Sequence, residues 1–328
     1  MNRWLTPALV VILLGVSLAS LLAGTVWLRP EQVLAGLSSG SDTLAGLIVT
    51  EIRLPRLILG LLVGGILGLS GAVLQGLLRN PLAEPGLLGV SSGASLGAVI
   101  AIYYGFAGTI TLAAPLFALV GGLVTASLAL VLSRSGGTLA LILAGAAVSS
   151  IAAAGVSLAL NLAPNPYAAY EIMTWLMGSL ADRSWDHVRL AVPFIVAGAT
   201  LLLFTGRALD ALSLGEQQAE SLGINVRRIR LLALFGTALG VGAATAVTGA
   251  VGFVGLVAPH LVRPLVGHRP GRTLVPATLA GALIVVVADT FTRVVSFGGP
   301  ELKLGVLISI VGAPFFLWLV LHVRKTMA

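Results

Sequence analysis

The chain has 328 residues, of which 57% are hydrophobic and only 9% charged, with a formal net charge of +7 and no cysteine. A soluble domain carries about 25% charged residues, so an ordinary globule and a disordered chain are excluded, as are disulfide frameworks, thiolate catalysis and cysteine-based metal sites. The excess of positive charge is no nucleic-acid footprint either, because the arginines punctuate apolar runs instead of clustering.

A hydrocarbon core of roughly 30 Å takes about 20 apolar residues of helix. Runs of that kind recur at 7–28, 57–77, 87–104, 110–132, 138–160, 190–204, 231–249, 252–266, 274–295 and 304–322. They predict an all-α integral membrane protein with about ten transmembrane helices. The runs are continuously apolar, not alternating, which excludes a β-barrel. No polar stretch is long enough for a soluble domain, so residues 1–328 read as a single transmembrane domain. The first run is longer than the apolar part of a signal peptide and is read as a helix. The run at 252–266 is the weakest, being short and carrying Pro259, His260 and Arg263. An even number of spans puts both termini on one side. Placing them in the cytoplasm leaves twelve of the nineteen Lys and Arg on the inner side, which the positive-inside rule favours.

In chain order, the first informative segment is Glu51-Ile-Arg-Leu-Pro-Arg56 at the outer end of the second span. Arg53 and Arg56 are three apart, so they share a face at the outer surface. Arg293, at the outer end of the ninth span, joins them as either a membrane anchor or part of a dock for an acidic partner. Gly60, Gly64 and Gly68 form two overlapping Gly-x-x-x-Gly repeats, predicting close packing of a central second span. Residues 76–93, with two prolines and several glycines, predict a structured re-entry on the inner side, since loose backbone is costly at that depth. Between the fifth and sixth spans, Pro164 and Pro166 predict a break, followed by a short amphipathic helix over 170–180 that serves as an interfacial anchor or a lid beside a pore mouth. Gly215 and Gly223 bracket a short inner helix from Glu216 to Leu222 with Ala219 and Leu222 on one face, suited to a linker or a docking element. An echo at an offset of 178 residues (Gly71-Ala-Val73 with Gly249-Ala-Val251, Pro81 with Pro259, Gly89 with Gly267) predicts an inverted internal repeat, a feature of many transporters.

Several chemistries lack their residues. Neither Lys303 nor Lys325 stands in a Walker A loop. His260 and His268 have no carboxylate at ligand spacing, so no metal site is expected. Asp289 is the one clear ionisable group within a span, and Arg293 one turn later makes a local ion pair its first reading.

Taken together, the sequence resembles the permease subunits of binding-protein-dependent ABC importers for ferric siderophores, haem and vitamin B12. The resemblance is carried by Arg53-Leu-Pro-Arg56, Ser70-Gly-Ala-Val-Leu-Gln75, Asn80 to Val90, Met173-Thr-Trp-Leu-Met-Gly178, Leu214-Gly-Glu216 with Ala219 and Ser221-Leu-Gly223, Gly252 to His260 with Arg263, and Gly312-Ala-Pro-Phe315. It covers the second span to the tenth. It implies a bundle like that of the vitamin B12 importer permeases in the bacterial inner membrane. It further implies a second, expectedly identical permease, two cytoplasmic ATPases that hold the ATP and magnesium, and a periplasmic substrate-binding protein. This chain itself is then no enzyme and holds no cofactor or metal. The resemblance assigns Arg53, Arg56 and Arg293 to docking of the binding protein. It assigns Leu214, Gly215, Glu216, Ala219, Ser221, Leu222 and Gly223 to ATPase coupling. Gly136, Gly137 and Thr138 fall to the inner gate, and Met173, Trp175 and Met177 to the pathway mouth. An iron chelate is the expected cargo and cobalamin the alternative, with an ion-coupled secondary transporter as the rival mechanism.

Overall fold

The computed structural model describes residues 4–39, 43–133, 137–295 and 301–327. Ten apolar helices stand where the ten runs lie: α1 (Leu5–Leu22), α2 (Leu54–Leu77), α3 (Val90–Tyr103), α4 (Ala113–Leu132), α5 (Gly137–Asn161), α6 (Trp185–Leu203), α7 (Val226–Thr248), α8 (Val254–Val262), α9 (Pro270–Val294) and α10 (Leu304–Met327). Among the described residues, eight are long and apolar enough to cross a membrane, while α3 and the segment Val254–Val266 are shorter. The chain is a multi-pass membrane protein.

The weak eighth run is short for a visible reason. A 3₁₀ turn, Arg263–Val266, follows α8, because Pro264 cannot continue the hydrogen-bond ladder. Gly267, at φ 72°, closes it.

α2 is the central rod, buried along nearly its whole length. In lipid, apolar burial does not drive helices together, so close approach has to come from small side chains. The glycine stripe does this against α9, where a Cβ on Gly64 would lie 2.7 Å from the Cα of Ala282. A Cβ on Gly71 would lie 2.7 Å from the Cα of Gly255, at the start of α8. Gly198 and Gly240 bring α6 onto α7 in the same way. The stripe is therefore a packing surface and not a pore wall. Gly64→Leu should abolish the monodisperse peak of the solubilised protein on size-exclusion chromatography. Gly15→Ala on α1, where nothing lies within 4 Å, should leave it unchanged.

Several helix ends differ from the sequence reading. The sixth, seventh and ninth spans begin at Trp185, Val226 and Pro270, four or five residues before their apolar runs. Asn225 caps α7 by accepting from the Arg228 N–H at 2.9 Å, so the arginines after it are first-turn helix and not linker. The helix read over 170–180 runs instead over Pro166–Leu176. Pro166 does not break it but opens it at the first turn, where proline is favoured, and Asn165 accepts from the Ala168 N–H at 2.8 Å. Conversely, the first run overshoots, since α1 stops at Leu22 and residue 23 is extended. The internal echo survives in element order, because long, short, long and long helices recur as α2, α3, α4, α5 and as α7, α8, α9, α10. Its residue register does not survive: Gly71 lies inside α2, whereas Gly249 caps the end of α7.

Candidate functional site: two ends of the bundle

At one end lies a buried ionic cluster. A π-helical turn, Ile48–Arg53, leads into α2 and turns Arg53 back onto α1. Its guanidinium donates to the carbonyls of Leu21 and Val26, each at 2.5 Å. Leu21 lies in the last turn of α1, where carbonyls lack helical partners and a cation is favourable, and Val26 lies in the bend just beyond. This clamp stops α1 short of residue 28. Gly24 leaves room for it, as a Cβ there would lie 2.9 Å from Arg53 Nη2.

Arg56 bridges two carboxylates. Its Nε donates to both Asp289 oxygens at 2.9 and 3.0 Å, and its Nη1 and Nη2 fork onto Glu301. Arg293 reaches Ser20 Oγ at 2.5 Å and sets its Nε 3.3 Å from Asp289 Oδ2. The structure thus brings Arg53, Arg56 and Arg293 together, with Asp289 between the last two. It does not leave them on the surface: Arg53 is 6% and Arg56 7% exposed. Sequence reasoning placed them at the surface because it missed Glu301 and Ser20, which hold them from within. Burial works to raise the Glu301 carboxyl, but hydrogen bonds and charge from Arg56, with help from Thr292 and Arg293, hold it below the ordinary carboxylate range.

Beside the cluster, Arg183 lines a cleft of about 230 Å³ with Tyr167, Tyr170, Trp175 and Lys303. Asp182, in the left-handed region at φ 57°, turns the chain into it. Arg183 Nε is buried with no hydrogen-bond partner among the described residues, and burial lowers its pKa. Sequence reasoning assigned Arg183 no role.

The segment 173–179 is threaded between α7 and α10. The Ser179 N–H donates to Thr248 O at 2.6 Å, and the Gly305 N–H to Gly178 O at 3.2 Å. Gly178, at φ 68°, makes the turn. Trp175 packs into the core, while Met173 and Met177 stay about half exposed. Met177 lines an open cleft of about 510 Å³ with Ala250, Gly305 and Ser309. Gly136 lies outside the described residues; Gly137 opens α5 and Thr138 follows in its first turn.

The re-entry at 76–93 is structured as expected. Pro85–Leu88 forms a 3₁₀ turn closed by Gly89 at φ 76°. Three of the segments that carried the resemblance knit together there. Gln75 donates to Leu256 O at 3.4 Å and accepts from Arg263 at 2.5 Å. Glu84 reaches towards the backbone of Phe253, the left-handed residue that caps α8.

At the opposite end of α7 lies the helix Glu216–Ser221, bracketed by Gly215 at φ 121° and Gly223 at φ 81° as expected. Its faces are a correction. Ala219 is fully buried, whereas Leu214 and Leu222 are each 65% exposed. Ala219 and Leu222 therefore point apart, because Leu222 is already past the last helical turn. Glu216 pairs with Arg230 at 3.4 Å, and Ser221 and Gly223 are exposed.

Residues 11–322 match the family model described as the FecCD transport family. The hemin transport system permease protein HmuU of Yersinia pestis is 40% identical over 84% of this chain and 83% of its own length. A vitamin B12 import system permease protein BtuC, from Vibrio cholerae, is 38% identical over 98% of this chain and 95% of its own. A solved inward-facing ABC transporter assigned to the metal-chelate type superposes with a TM-score of 0.87 at 32% identity, covering 97% of this chain and 98% of that one.

Proposed function

The chain belongs to the FecCD transport family, a permease of an ABC importer, and on that premise we propose that two copies of it enclose a path for a metal chelate, a ferric siderophore or haem, across a bacterial inner membrane. Cobalamin is the alternative cargo. Both termini lie in the cytoplasm, and the chain hydrolyses nothing itself. Two ATPase subunits bear on the Glu216–Ser221 helix, and a periplasmic binding protein delivers the cargo to the ionic-cluster end. The observation that carries the reading is the end-to-end likeness, which leaves no part of the fold to be explained otherwise.

The ion-coupled rival is disfavoured by one detail. Asp289, the acidic group within a span, is held by two arginines and is not free to take up and release an ion. Proteoliposomes holding this chain, its ATPase and its binding protein separate the two: ATP without an ion gradient should drive uptake, and uptake on a gradient alone sinks the proposal. Ligand binding by the cognate periplasmic protein decides the cargo.

Docking at the outer end needs a route to buried arginines. Glu301, about one-third exposed, holds Arg56 until an acidic side chain of the binding protein takes its place. Arg53 and Arg293 hold the end of α1 and shape the rim. Glu301→Gln should raise the affinity for the binding protein severalfold; unchanged affinity in a titration counts against the exchange. The same variant has a pH signature. A carboxylate held below its ordinary range stabilises the fold above that range and loses its contribution as the pH falls through the lowered value. The wild-type advantage in thermal midpoint over Glu301→Gln should therefore shrink on acidification.

A further inference from the structure

A cleft of about 510 Å³ opens on the flank between the end of α4 and the start of α7, walled by Leu130, Val131, Leu231 and Phe235 and edged by Arg227 and Arg230. The walls are exposed: Val131 at 59%, Phe235 at 46% and Leu231 at 40%. In a membrane protein such a flank meets lipid. Arg227 makes no hydrogen bond or ion pair among the described residues, and Arg230 makes only the 3.4 Å contact with Glu216. The two serines of the cleft donate to carbonyls of their own helix, Ser127 to Leu123 at 2.7 Å and Ser133 to Leu130 at 3.1 Å. The guanidiniums are therefore its donors. Arg227 stands in the first turn of a 23-residue helix and Arg230 follows just beyond it, at the end where the helix dipole disfavours cations. Their charge gains there from an anion brought from outside. A free phosphate would leave the apolar wall without a purpose. An amphiphile uses both halves.

We propose that this cleft seats one anionic phospholipid, its phosphodiester between Arg227 and Arg230 and an acyl chain along Leu231 and Phe235. Basic clefts between spans at the cytoplasmic surface are suited to such headgroups. The arrangement has a consequence for the neighbouring helix. A phosphate that draws on Arg230 competes with Glu216, the first residue of Glu216–Ser221, so the lipid tunes the position of that helix. This last step rests on the reading of Glu216–Ser221 as the ATPase dock; lipid binding itself does not.

The test is retention of phosphatidylglycerol by the full chain in neutral detergent, counted by native mass spectrometry. The wild type should keep one molecule through delipidation. Arg227→Gln with Arg230→Gln should keep it at least about tenfold less well, and phosphatidylcholine should be kept by neither. Phe235→Ser should also release the lipid, and inorganic phosphate should not displace it. Equal retention by the double variant overturns the proposal. Displacement by phosphate, or full retention by Phe235→Ser, shows a free-anion site and overturns it too. Should the double variant fail to fold, the wild type alone decides: retention must fall steeply from low to high salt, and salt-independent retention refutes the charge pairing.

Discussion

Asp289→Asn should cost the protein about 3–5 kcal/mol of stability, the usual result of removing one partner from a buried ion pair. Asp289 is 3% exposed and meets Arg56 through two hydrogen bonds and Arg293 through one ion contact. Its loss leaves Arg56 with Glu301 alone and Arg293 with hydroxyl and carbonyl partners. A carboxamide can accept a hydrogen bond but cannot neutralise a guanidinium. The expected readout is a sharp fall in the thermal midpoint of the solubilised protein and in its yield. A wild-type midpoint in Asp289→Asn would mean that the cluster is hydrated and cheap to break.

The second large effect is expected at the other end. Leu222→Asp should abolish ATP-driven uptake while leaving the thermal midpoint close to wild type. Leu222 is 65% exposed and has little to lose in the isolated chain, so a charge there matters only against a partner. Ala219→Asp should behave in the opposite way. Ala219 is fully buried, and a carboxylate forced into that contact damages the fold before it damages coupling. The two variants together separate a docking face from a supporting one. Normal uptake with Leu222→Asp, in proteoliposomes supplied with ATPase and binding protein, removes the exposed leucines from the interface.

Much of the fold was legible because lipid imposes so simple a grammar. Apolar length located the ten helices, and the Gly60, Gly64 and Gly68 stripe told which one lies at the centre. Starting points were lost where a polar first turn masquerades as a loop. Asn225 and Ser184 were the visible signals, the one capping α7 and the other forming a capping box with His187. At the ionic end, the arginines were found by their placement along the chain. Their burial was not, since Arg56 meets carboxylates 233 and 245 residues away, and no local pattern encodes such a meeting. At the other end, Gly215 and Gly223 marked the short helix correctly. The orientation of Leu222 depended on where the last turn ends, a one-residue matter that periodicity does not resolve.

The ionic cluster also bears on how the chain is made. Its members come from residues 20–26, 53–56 and 289–301, so the ribosome delivers Arg53 and Arg56 long before their counter-charges. Through most of translation Arg56 must wait at the membrane border, hydrated and unneutralised, and α1 has only a provisional tether. Completion of the ninth span and the loop after it closes the circuit. A chain broken off earlier keeps an uncompensated guanidinium where the finished fold has a paired one.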